Sequence, residues 1–178
     1  MREAGATFDM PDGSAFRVLR APFETAGELV ELELAVPARS AAVPKHRHPR
    51  QEEQYEVLEG TLDVFVDGRW RALREGESLT IAPGEAHSFR GTSESARVRN
   101  VHRPALDFLE YVQRLHALAE AGEIEKLKSP KTLIYISMLW QQHSQTLVPV
   151  GPLRVAMWVF ARVGRLLGYQ LPARRVAT

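Results

Sequence analysis

His46 and His48 are separated by a single residue, so on an extended strand both imidazoles leave from the same face. Two nitrogen donors then share one wall. Glu53 follows five residues after His48, and His87 stands much later, three residues beyond Gly84 and at the start of another strand-like run. Three imidazoles and one carboxylate drawn from three strand regions, converging inside a barrel, suit Fe, Mn, Ni, Co, Cu or Zn, whereas acids alone would suit Ca or Mg. The chain of 178 residues has no cysteine. Disulfides, a thiolate nucleophile and thiolate metal ligands are therefore excluded, and a metal would have to be held by His, Asp, Glu or other oxygen donors.

The elements that must position these groups change character at about residue 103. Before it, short alternating runs lie between turn signals: Glu28 to Val36, Gln54 to Leu58, Thr61 to Val66, Trp70 to Leu73, Ser78 to Ala82, His87 to Arg90 and Ala96 to His102. Asp67-Gly68 reads as a tight hairpin turn. This density of strands predicts an all-β fold, a closed antiparallel barrel or jelly roll, and excludes a parallel α/β arrangement. After Pro104, Leu106, Leu109, Val112 and Leu115 recur at helical spacing up to Gly122. Ser129-Pro130 caps a second helix running to about His143, apolar on nearly every side, and Leu153 to Leu167 reads as a third. The expected organisation is a β-barrel domain over 1–103 and a helical extension over 104–178.

The same residues carry a resemblance to the cupin superfamily. In KHRHPRQEEQYEVLEG, His46, His48, Glu53 and Gly60 fall on the first cupin motif, and GESLTIAPGEAHSF resembles the second, with Gly76, Gly84 and His87 in place. Ser40 stands where the first motif usually opens with Gly, Ala82 where the second usually has Pro, and Gly91 where an Asn often closes it. None of these is a ligand position. The resemblance covers roughly Glu28 to Pro104 and implies a cupin-type jelly-roll barrel with one divalent transition metal held by His46, His48, Glu53 and His87. Glu53 is preferred to its neighbour Glu52 because six residues then lead to Gly60, as the family requires. His102, His116 and His143 lie outside the pattern and read as ordinary surface or packing histidines.

If Glu53 points inward, Tyr55 and Val57 share its parity, and Phe89 shares that of His87. These three residues would make an apolar pocket for a small organic ligand beside a polar centre, or would simply fill the barrel. Cupins with this ligand set include dioxygenases and other oxidoreductases acting on small phenols, diketones or thiols. The resemblance thus implies a metal-dependent, dioxygenase-like oxidoreductase in which Glu53 also acts catalytically as proton acceptor. A metal-dependent isomerase or lyase, and a non-enzymatic module that binds or senses a small molecule or metal, are the alternatives.

Charge is divided unevenly. Eight of the 23 Lys and Arg residues lie between Lys126 and Thr178, where there is no Asp or Glu, and all 22 acids lie before them. An overall net charge of +1 argues against a general nucleic-acid binder. The N-terminal MREAGATFDMPD lacks the apolar run of a secretion signal, and arginines interrupt the most apolar C-terminal segment, so a cytoplasmic protein is expected. The tail resembles extensions on some bacterial cupins. It is expected to dock on the barrel or on a second subunit of a homodimer, the alternative being peripheral contact with an anionic membrane through Trp158, Phe160 and the arginines.

Overall fold

Alternation of side chains lays out the sheet. Val30, Leu32, Leu34 and Val36 turn to one side and are buried, while Glu31 and Glu33 on the other side meet arginines: Arg99 Nε donates to Glu31 Oε1 at 2.6 Å and Arg97 Nη1 to Glu33 Oε2 at 3.1 Å. In the computed structural model, which describes residues 4–124 and 129–173, this strand is the third of nine among the described residues. They run β1 (Thr7–Asp9), β2 (Ala15–Arg20), β3 (Val30–Val36), β4 (His46–Arg47), β5 (Glu52–Val66), β6 (Arg69–Arg74), β7 (Ser78–Ile81) and β8 (Ser88–Arg103), with β9 (Val148–Pro149) far downstream. The helices are α1 (Phe108–Glu120), α2 (Pro130–Gln142) and α3 (Pro152–Leu166).

Every pairing is antiparallel. The main sheet runs β1-β2-β3-β8-β5-β6, with β7 also on β5, and β4 pairs with β9 in a second, two-stranded sheet. The separate runs 54–58 and 61–66 expected from the sequence are one strand, β5, and those at 87–90 and 96–102 merge into β8. Gly60 explains the apparent break: its φ is +75° and a Cβ there would lie 2.0 Å from the Ser95 carbonyl oxygen, so the strand bulges without ending. The Asp67-Gly68 turn is where it was expected, both residues having positive φ. β1 and β2 went unread although Pro11-Asp12-Gly13 turns the chain between them, because β1 has only three residues and β2 does not alternate strictly.

The extension is not wholly helical, since Val148–Pro149 is a strand laid on His46–Arg47. Pro149 and Pro152 keep this segment out of a helix, and its extended backbone finds hydrogen-bond partners across β4. α1 and α2 bury Phe108, Leu109, Val112, Tyr135, Leu139 and Trp140 against a core shared with Val18, Val30 and Leu32 of the sheet. Ser129 caps α2, its hydroxyl oxygen accepting the Thr132 N–H at 3.1 Å. α3 crosses α2 at Gly164, where an added Cβ would lie 2.4 Å from Ile134 Cγ2 and 2.7 Å from Met138 Sδ. Its other side leaves Val155, Trp158, Val159, Leu166 and Leu167 exposed. No helix among the described residues is long and apolar enough to cross a membrane.

Candidate metal centre

The four expected ligands meet. One ligand atom each from His46, His48, Glu53 and His87 lie within 4.8 Å of one another, and all four side chains are buried. Backbone pairing brings them together: His46 N–H donates to His87 O at 3.0 Å and His87 N–H to His46 O at 2.9 Å, holding these two residues opposite each other. Gly84 N–H reaches His48 O at 2.8 Å, joining the turn before His87 to the residue after β4. Glu53 comes from the start of β5, opposite Ile81 of β7 and His102 of β8.

Each ligand histidine spends its Nδ1–H on a carbonyl oxygen, which can only accept. His46 donates to Pro44 O at 2.9 Å, His48 to Thr146 O at 2.6 Å and His87 to Glu85 O at 3.1 Å. The proton therefore sits on Nδ1 and the Nε2 lone pair faces the centre, the tautomer a metal ligand needs. His87 Nε2 lies 2.7 Å and His48 Nε2 3.2 Å from Glu53 Oε2, and these buried atoms have no hydrogen-bond partner among the described residues. Buried donors of this kind left unmatched by protein are what a cation would satisfy, so the residues fit a divalent transition metal.

Electrostatics agree with that fit at Glu53 and His46, while at His87 burial is outweighed by the Glu53 charge and the pKa is raised. Burial opposes ionisation of Glu53, but His102, His87 and His48 outweigh it and hold its carboxyl well below the usual range. His46 is driven down to about 3, first by burial and then by His87 and His48, so its imidazole is neutral at ordinary pH. Tyr55, buried beside Glu53, keeps its phenol proton far above the usual value, burial being the largest cause and the Glu53 charge the next.

A supporting layer escaped the sequence reading. Asn100 Nδ2 donates to Glu53 Oε1 at 2.9 Å, while Asn100 Oδ1 accepts from His102 Nε2 at 2.9 Å, so the amide holds one carboxylate oxygen and leaves Oε2 to the histidines. His102 is a packing histidine as expected, stacked on Phe108 with 3.6 Å between ring centroids, yet it also backs the centre. The missed signal was parity: Val98, Asn100 and His102 share one face of β8. His143 is likewise buried and donates Nδ1–H to Asp107 Oδ2 at 2.7 Å, and the Thr146 hydroxyl bonds the other oxygen of the same carboxylate. Burial disfavours the Asp107 charge, but the His143 and Thr146 hydrogen bonds prevail and lower its pKa. His116 lies apart, donating to Asp9 O at 2.8 Å.

Tyr55 and Val57 pack in the apolar cluster of the sheet with Leu34, Leu62, Val64 and Val98, and Phe89 packs against it. The Tyr55 ring centroid is 6.5 Å from that of His87 and 5.9 Å from that of Phe89. Tyr55 thus adjoins the centre, and Val57 lies one step deeper in the cluster.

An antiparallel β-sheet protein whose strands and the turns beside them gather three histidines and one glutamate is defined by this fold and site. Residues 33–102, the stretch that carries both histidine motifs, match the cupin domain family. It is 33% identical over 72 residues to quercetin 2,3-dioxygenase of Bacillus subtilis (strain 168), covering 40% of this chain and 21% of that protein. It is 32% identical over 87 residues to polyketide synthase CurC of Streptomyces cyaneus, covering 48% and 56%. The matched stretch thus spans little more than half of these relatives at most. The structure of KdgF from Halomonas sp. shares the fold, with a TM-score of 0.52 and 16% identity over 61% of this chain and 96% of that one.

Proposed function

We propose that this chain is a metal-dependent, dioxygenase-like oxidoreductase acting on a small organic molecule, with His46, His48, Glu53 and His87 holding one divalent transition metal. The observation that carries this reading is the shared tautomer: three rings tied at Nδ1 to carbonyl oxygens leave three Nε2 lone pairs beside one ionised carboxylate. When bound, the metal supplies Lewis acidity toward a substrate oxygen and redox chemistry. Glu53, with Oε2 uncommitted to Asn100, accepts the proton of a substrate hydroxyl. Tyr55, Val57 and Phe89 line the apolar side of the substrate, within a sheet closed as a jelly-roll barrel. The partial similarity to quercetin 2,3-dioxygenase supports this class over an isomerase or lyase.

Burial favours a second reading. All four side chains of the centre are at most 4% exposed, and Trp140 and Phe108 of the extension stand 6.5 and 5.9 Å from His46 and His48. A centre so covered also suits a non-enzymatic module that binds or senses metal or a small molecule. Elemental analysis of the purified chain and of His87→Ala, followed by dioxygen uptake with a panel of phenols and diketones, tests both. Metal near one equivalent, lost in His87→Ala, supports the centre, and equal metal content in the two proteins refutes it. Uptake dependent on substrate supports the oxidoreductase, and metal without uptake selects the binding module.

A further inference from the structure

Beside the His/Glu centre, a cavity of about 490 Å³ opens between α2 and α3. That volume is in the range that takes small organic ligands. Its apolar wall includes Trp140, Met157, Val155 and Trp158. Trp140 is pinned by its Nε1–H, donated to Tyr111 Oη at 3.0 Å, so one side of the cavity is rigid.

Two polar groups on the lining lack partners. Ser137 is 2% exposed, and its hydroxyl has no hydrogen bond among the described residues, a costly state for a buried group unless something supplies the partner. The Arg154 guanidinium has no ion pair or hydrogen bond among the described residues, and it sits in the first turn of α3, which holds no acid. A cation there faces the positive end of the helix dipole, so an anion at this position is favoured twice, by the guanidinium and by the dipole.

From these features we propose that the cavity binds a small amphiphilic carboxylate. The carboxylate pairs with Arg154 at the start of α3, the apolar body lies against Trp140, Met157 and Trp158, and Ser137 hydrogen-bonds a second polar atom. The site also adjoins the metal centre: Pro149, on its lining, pairs with His46 across β4 and β9.

Tryptophan emission of the full chain reads binding without reference to metal or turnover. The probes are 4-phenylbutyrate and its uncharged analogue 4-phenylbutanamide. Saturable change with the acid is expected, with the amide about tenfold weaker and Arg154→Gln reducing the acid to the level of the amide. Arg154 is exposed, so this variant folds, and Ser137→Ala is expected to weaken the acid while leaving the far-ultraviolet dichroism unchanged. Equal binding of acid and amide, or unchanged binding by Arg154→Gln, overturns the proposal. Sedimentation with phosphatidylglycerol vesicles that is reversed by 4-phenylbutyrate reassigns the cavity to lipid and also overturns it.

Discussion

His48 donates its Nδ1–H to the backbone carbonyl of Thr146, 2.6 Å away and 98 residues further along the chain. A histidine within the stretch that matches the cupin domain is therefore oriented by a residue of the C-terminal segment. Thr146 is in turn bonded to Asp107, and Asp107 to His143, whose Nε2 lies 3.4 Å from Arg114 Nη1. The extension thus helps build the centre, and its charge excess does not describe its structural role.

Asp107→Ala tests that dependence. Loss of the carboxylate frees Thr146 and His143, so His48 loses its fixed orientation. Affinity of the metal-stripped protein for Zn²⁺ or Co²⁺ is expected to fall about 10–100-fold, the usual effect of removing a group that orients a ligand. Titration followed by calorimetry measures it, and unchanged affinity would show that His48 is held without the extension.

Asn100→Leu acts from the other side of the centre. The substitution keeps approximate volume but leaves Glu53 Oε1 and His102 Nε2 without their partner. Each orphaned buried group costs about 1–3 kcal/mol, so a lower midpoint in urea is expected together with weaker metal binding. A variant as stable as the parent would mean that Glu53 is held by its neighbours alone.

Acid sensitivity follows from the same Asp107. Its pKa in the folded chain lies below the ordinary 3.8, so the unfolded chain binds the proton more readily. The stability this group supplies is complete above the ordinary value and is lost as the pH falls through the folded pKa. Urea midpoints of the parent should thus fall more steeply than those of Asp107→Asn as the pH drops below about 4.

Gly164→Val probes the helix crossing. The new side chain meets Ile134 and Met138 at distances neither helix tolerates without moving apart. Overpacking of this kind costs about 1–3 kcal/mol, read as a lower melting temperature. The sheet core lies in a separate cluster, so the β-sheet signal should persist.

Ser40 and Gly91, where the sequence departs from the cupin motifs, touch each other. Gly91 N–H donates to Ser40 Oγ at 2.8 Å, and a Cβ at 91 would stand 2.1 Å from Pro37 O, so the two departures form one tight turn contact. Nothing in their spacing announces this. The same holds for the layer behind the ligands: Asn100 and His102 were legible as one face of a strand, but opposing them to Tyr55 and Glu53 required the register of β8 on β5.

His-x-His, the glutamate and the later histidine are local in pattern, because a strand's period of two and a turn's glycine dictate where each side chain points. Alternation and helical spacing in the sequence thus determined the antiparallel strands and the three helices, and the resemblance to the cupin motifs picked out the four donor residues. Only the tertiary structure decided that β9 lies on β4, that Thr146 holds His48 and that α2 and α3 enclose a cavity. The first two contacts join segments about a hundred residues apart while α2 and α3 are neighbours in the chain, and in each case the partners are chosen by packing and by the need to satisfy buried backbone groups, which leave no periodic trace in the chain.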